Sequence, residues 1–171
     1  MINSKTIKMR YVEETDAEFI LKLRLDERYN QFLSEVKADL ESQKSWIRAY
    51  KKDELNKKQF YFIIERLDGT PCGTVRIYDF KKDSFSWGSW ILNEEKTRYS
   101  AIESALMVYD FGFNSLNFAK SHFEVMKDNI RVVNFHKKFG AQEVSEDNEN
   151  YYFSITKEAV QKSYDKFKGI L

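Results

Sequence analysis

The stretch from Trp87 to Ala141 constrains the fold most, because its hydrophobic spacing switches between strand and helix along its length. It reads as a strand (WGSWIL), a loop (NEEKTR), an amphipathic helix (YSAIESALMVYDFGFNSLN), a second strand (KSHFEVMKD) and a second helix (NIRVVNFHKKFGA). A strand, helix and parallel strand in succession make a βαβ unit with a right-handed crossover. The first turn of its helix lies beside a strand end, where free N–H groups and the helix dipole favour a phosphate-bearing ligand. Gly140 is expected to end the last helix in the left-handed conformation.

Before this unit, Lys5–Val12 alternates Ile7, Met9 and Tyr11 against charged residues, as a half-buried strand does. Thr15-Asp16 offers a helix cap, and Phe19, Ile20 and Leu23 share a face up to about Leu25. From Asp26 to Ser34 the periodicity fails. Asp39 then opens a second helix through Leu55. Gln59–Arg66, Cys72–Phe80 and Ser84–Leu92 read as three antiparallel strands, the first two joined at an Asp68-Gly69 turn. Gln142–Glu146 and Asn150–Thr156 form a final hairpin, and Lys157–Leu171 a terminal helix. The fold class is α/β (α+β), with a mixed central sheet of about seven strands flanked by helices. With 171 residues the chain suits one domain, residues 1–171.

At 42% hydrophobic and 32% charged residues, the chain is neither a disordered tail nor a membrane span. A formal net charge of +1 gives no reason to expect a nucleic-acid partner. Cys72 is the single cysteine, so an intramolecular disulfide is excluded and a reducing compartment is expected. Nothing at the N-terminus resembles a signal peptide, and no apolar run reaches transmembrane length. The expectation is a cytoplasmic protein without membrane insertion. With two His and one Cys, and neither H-x-x-x-H nor C-x-x-C spacing, no metal site is expected.

The segment NIRVVNFHKKFGA resembles the N-x-x-A-x-x-L-Y-x-K-x-G-F segment of the GNAT superfamily of N-acetyltransferases. The order β-α-α-β-β-β-α-β-α-β-β over about residues 5–156 is similar to that superfamily's order. The resemblance implies a sheet splayed between its fourth and fifth strands, with acetyl-CoA as co-substrate in the gap. The backbone of the fourth strand, at Trp90, Ile91 and Leu92, would pair with the pantetheine and help polarise the thioester carbonyl. The side chains of Trp90 and Leu92 themselves read as core. The pyrophosphate would meet the loop before the third helix, where Arg98, Ser100 and Ala101 stand in the family's Gln/Arg-x-x-Gly-x-Gly/Ala pattern. Arg98 matches, although it also reads as a surface cation; Ala101 and Glu103 replace small residues. Glu103 fits near phosphate only by pointing away.

Asn129 would help hold the cofactor, or cap its helix. His136 stands where the family has a tyrosine that assists the departing thiolate; the alternative is a surface helix histidine. A base must take a proton from the attacking ammonium. His122 and Glu124 share a strand face, so Glu124 is the candidate if that face looks into the cleft, and a solvated carboxylate otherwise. Asp79 and Glu65 are further candidates.

The front half, LRLDERYNQFLS followed by QKSWIRAY, resembles acetyltransferases acting on 4-amino sugars of nucleotide-sugar precursors. That likeness implies Arg28, Tyr29, Asn30, Phe32, Ser34 and Trp46 as acceptor-binding residues, with Trp46 and Tyr50 otherwise one packing face of their helix. The implied function is acetyl transfer to an amino-sugar nucleotide used for surface polysaccharide. The partners are then a small-molecule amine and, for a homodimer, a second copy of the chain. Two alternatives stay open: an N-terminal or ribosomal-protein acetyltransferase, which an acidic groove would support but for which Glu94, Glu95 and Glu103 are too few to decide, and a degenerate ligand-binding member without turnover.

Overall fold

A continuous apolar run such as Phe60–Ile64 needs a layer on each face of a sheet, and the computed structural model, describing residues 2–169, supplies both. Its elements run β1 (Ile2–Asn3), β2 (Ile7–Tyr11), α1 (Ala17–Leu25), α2 (Leu40–Leu55), β3 (Phe60–Arg66), β4 (Pro71–Tyr78) and β5 (Ser84–Leu92). They continue with α3 (Ser100–Asp110), β6 (Lys120–Met126), α4 (Ile130–Phe139), β7 (Gln142–Glu146), β8 (Asn150–Thr156) and α5 (Lys157–Phe167). The strands make one mixed sheet, ordered β1-β2-β3-β4-β5-β6-β8-β7. The two-residue β1 is too short to show alternation, so the strands counted fourth and fifth from the sequence are β5 and β6.

One sheet face sends Ile7, Met9, Phe62, Phe85 and Trp87 into a core shared with α3, α4 and α5. The other sends Tyr61 and Ile63 against Ile20 of α1 and Ile47 and Tyr50 of α2. Helix ends follow local chemistry. The Asp39 carboxylate accepts the Glu41 N–H at 3.1 Å to start α2, and Gly140 at φ +108° closes α4. After α3 the chain makes a π-helical turn at Phe111–Ser115, where a Cβ on Gly112 would lie 2.2 Å from the Phe85 ring.

Two irregularities position the site. β5 and β6 run parallel but pair only at Ser84↔Lys120 and Phe85↔Ser121. Beyond that point their facing edges diverge and leave backbone groups unpaired. The closed end is pinned by the Ser121 hydroxyl, which donates to the Phe85 carbonyl at 2.8 Å. His122 also bridges there, from the Ser84 hydroxyl at 2.6 Å to Asp79 at 2.9 Å. The second irregularity is a bulge: β4 pairs Thr74 with Ile91 and Arg76 with Gly88, so Ser89 and Trp90 both face Val75. Ser89 takes φ +48°, and its carbonyl accepts the Thr74 hydroxyl at 3.0 Å. No helix among the described residues is long and apolar enough to cross a membrane.

Candidate active site

The divergence of β5 from β6 opens a cleft of about 550 Å³, lined by Trp87–Trp90 on one side and Phe123–Met126 on the other. Asn129 and His136 of the α4 segment form its floor. A second pocket, about 350 Å³, lies between the α1–α2 layer and the sheet, with Trp46 and Tyr61 in its wall. The two cavities share Arg24, Ser34, Arg76 and Ser89. They therefore adjoin at the bulge, where Ser89 lines both. Such a meeting suits a transfer between two substrates entering from opposite faces of the sheet.

His136 is buried at 4% exposure, on the stripe of α4 that also buries Val133 and Phe139. Its ring centroid is 4.3 Å from that of Phe123 and 5.4 Å from that of Trp87. Burial pushes its pKa down to about 3, so the imidazole is neutral at physiological pH. Its Nδ1 has no hydrogen-bond partner. The surface-histidine reading fails here. A neutral imidazole can give or receive one hydrogen bond in the cleft, but it cannot deliver the proton of an imidazolium.

Asn129 precedes α4 but makes no side-chain cap bond, so the amide stays uncommitted in the cleft wall. Glu124 lines the cleft too and is exposed, on the face of β6 shared with His122. His122 is held by Ser84 and Asp79, and Asp79 also pairs with Lys81 at 3.2 Å. Glu65 is buried and paired with Arg10 at 2.9 Å. Of the carboxylates considered as bases, only Glu124 lines the cleft.

The loop before α3 accommodates its non-glycine residues in a specific way. Glu103 is 1% exposed and accepts the Thr6 N–H at 2.8 Å and the Thr6 hydroxyl. Its carboxylate is thus committed to Thr6. Ala101 lies in the first turn of α3 and is not among the residues with positive φ, so its methyl needs no left-handed backbone. The buried Ser100 hydroxyl accepts the Thr97 N–H at 2.8 Å and its own N–H donates to the Thr97 carbonyl at 3.3 Å, so Ser100 closes the loop on itself. Arg98 is exposed, over the Tyr99 ring at 5.3 Å. Free helix-start amides, an unpaired β5 edge, the uncommitted Asn129 amide and the orphan Nδ1 together fit a phosphorylated, amide-containing thioester such as acetyl-CoA.

The acceptor residues divide. Phe32 lines the cleft, and Trp46, 41% exposed, lines the 350 Å³ pocket while its ring stacks on Tyr50. Arg28, Tyr29 and Asn30 line neither. Arg28 pairs with Asp26 at 2.7 Å, the Tyr29 hydroxyl donates to Glu94 at 2.7 Å, and the Asn30 amide donates to the Arg24 carbonyl at 3.2 Å. Sequence reasoning missed Arg24, Arg76 and Ser89. For Arg76 the available signal was a charge inside the apolar run of β4; for Ser89, the spacing Phe85, Trp87, Trp90, Leu92, which skips one residue at the bulge.

Residues 6–142 match the acetyltransferase (GNAT) domain family. Among solved structures, the chain is similar to apo FdhC, a nucleotide-linked sugar GNAT, with 49% identity, a TM-score of 0.90, and coverage of 98% of this chain and 96% of that one. At 16% identity it shares its fold with a spermidine N-acetyltransferase from Vibrio cholerae in complex with CoA and spermine (TM-score 0.77, covering 91% and 98%). A ribosomal-protein-alanine acetyltransferase from Vibrio fischeri shares the fold at 13% identity (TM-score 0.78, covering 91% and 95%). No curated protein matches the chain.

Proposed function

This chain belongs to the GNAT acetyltransferase family, an N-acetyltransferase with acetyl-CoA as co-substrate, and we propose that its acceptor is the amine of a 4-amino sugar carried on a nucleotide. The observation that carries this reading is the meeting of the 350 Å³ pocket with the cleft at Ser89, beside the exposed ring of Trp46. A sugar or base ring finds an aromatic face there, and its amine reaches the bulge. The likeness to FdhC, a nucleotide-linked sugar GNAT, supports the same acceptor class. Precursors of surface polysaccharide are the sugars of this kind we favour.

Acetyl-CoA supplies the acetyl thioester; the chain supplies position and hydrogen bonds. The free edge of β5 from Trp90 to Leu92 pairs with the pantetheine amides and aims an N–H at the thioester oxygen. Arg98 and the backbone of Ala101 hold the pyrophosphate, with Ser100 bracing the loop through Thr97, and Asn129 fixes the chain between them. Glu124 receives the proton of the attacking ammonium and passes it to solvent. His136, held neutral, gives an N–H to the sulfur as the carbon–sulfur bond breaks.

The peptide alternative calls for an acidic groove, and the three carboxylates considered for it are committed to other partners. Glu103 is bound to Thr6, Glu94 accepts from Tyr29, and Glu95 pairs with Arg66 at 3.6 Å. The test is CoA release with a nucleotide-linked 4-amino sugar, spermidine and an alanyl peptide. Turnover with the sugar alone is expected; preference for either other amine overturns the proposal.

A further inference from the structure

Arginines in this chain follow a rule with two exceptions. Arg10 pairs with Asp16 and Glu65, Arg28 with Asp26, Arg48 with Glu14, and Arg66 with Asp68 and Glu95. Arg98 and Arg131 have no carboxylate partner but are exposed, where water solvates them. Arg24 and Arg76 are half-buried, and neither meets a carboxylate among the described residues.

Both are nonetheless held in place, by neutral groups only. Arg24 donates through Nη2 to the Ser34 carbonyl at 2.8 Å and to its hydroxyl at 2.9 Å. Arg76 donates through Nη1 to the Gln59 side-chain carbonyl at 3.1 Å and lies over the Tyr78 ring at 4.3 Å. The Nε of each is buried without a partner. Burial lowers the pKa of Arg76, and the neighbouring charge of Arg24 acts in the same direction. Two like charges taken partly out of water, with no acid between them, cost stability unless an anion completes the group. Lys37 adds a third cation to the 350 Å³ pocket, against the single carboxylate of Glu35.

We propose that Arg24 and Arg76 form a clasp for the phosphate groups of the acceptor, and that this clasp sets the amine at Ser89. It rests on the reading of the acceptor as a nucleotide-linked sugar. Both arginines line both cavities, so an anion held between them would sit at the junction beside Ser89. Planar guanidinium groups fit phosphate oxygens two at a time, and their rigid neutral supports leave the charge for the ligand. The same pair repels a polycation, which disfavours polyamines by charge.

The test uses CoA-saturated protein, so that the cofactor's own phosphate site is filled. Thermal unfolding is measured with and without inorganic pyrophosphate for the wild type, Arg24→Gln and Arg76→Gln. Pyrophosphate is expected to raise the Tm of the wild type and of neither variant, and acetyl-CoA binding confirms that each variant is folded. In parallel, the wild type is given the nucleotide-linked amino sugar and its methyl glycoside. The clasp predicts a KM at least about tenfold lower for the phosphorylated acceptor, a preference that each variant loses. Equal stabilisation of all three proteins by pyrophosphate, or an unchanged KM in both variants, overturns the clasp. Arginine-dependent stabilisation without turnover of any amino sugar leaves the clasp standing and removes the sugar reading instead.

Discussion

Thr6 gives both its backbone N–H and its hydroxyl to the carboxylate of Glu103, 97 residues later in the chain. The Thr6 hydroxyl also meets Thr97, whose own hydroxyl meets Ser100 at 2.7 Å. The turn before β2 is thereby tied to the loop and first turn of α3. A carboxylate that would repel phosphate instead braces the loop meant to receive it. Glu103→Ala is expected to cost about 1.5–3 kcal/mol in urea unfolding, the worth of a charged buried hydrogen bond, and to raise the KM for acetyl-CoA. Glu103→Gln should fall between the two. A variant with wild-type stability and KM would show that this network supports neither.

His136 is neutral in the fold because its surroundings are aromatic, and this has a measurable sign. Its pKa is lowered from 6.5 to about 3 by burial, so below pH 6.5 the unfolded chain binds a proton that the folded one does not. Stability therefore falls as pH drops through that window, by up to about 1.4 kcal/mol per unit, and the contribution is complete above it. NMR should show the His136 ring failing to titrate near pH 6.5, and His136→Phe should flatten the acid limb of stability. In the same variant, kcat is expected to fall about ten- to a hundredfold while the KM for acetyl-CoA holds. Unchanged turnover would remove His136 from the mechanism.

The order of elements was legible because each strand and helix writes its own spacing. So was the end of α4, since Gly140 takes the left-handed turn its position demands. Burial of His136 could also have been read, because Val133, His136 and Phe139 recur along one helical face. What escaped were relations between distant segments. Arg24 looks like any solvated residue near a helix end until α1 is laid over β4 and Arg76. The direction of Glu103 depends on Thr6. Arg28, Tyr29 and Asn30 lie in a loop without periodicity, so nothing local tells that their side chains bond to Asp26, Glu94 and the α1 end.

Gly112 offers a stability test outside the site. In an exposed helix, alanine would be favoured over glycine by about 1 kcal/mol. Here a Cβ would lie 2.2 Å from two atoms of the buried Phe85 ring. Gly112→Ala should therefore destabilise the fold by about 1–3 kcal/mol through overpacking. Because Phe85 pairs with Ser121 at the closed end of the cleft, the same change is expected to weaken acetyl-CoA binding. Pairing it with Phe85→Leu should restore part of the stability; no recovery would place the cost elsewhere.

Glu124 is the carboxylate on which proton transfer is proposed to depend, and its setting allows a clean test. It lines the cleft with no ion-pair partner among the described residues, so Glu124→Gln orphans none of their cations. Shape is nearly unchanged while basicity is lost. At neutral pH, where an aliphatic amine is mostly protonated, kcat/KM should fall about a hundredfold, the ordinary worth of a positioned base. The deficit should shrink as pH approaches the amine's own pKa, because free amine then arrives without help. A constant deficit across pH would mean that Glu124 orients the acceptor, and no deficit would pass the proton to water.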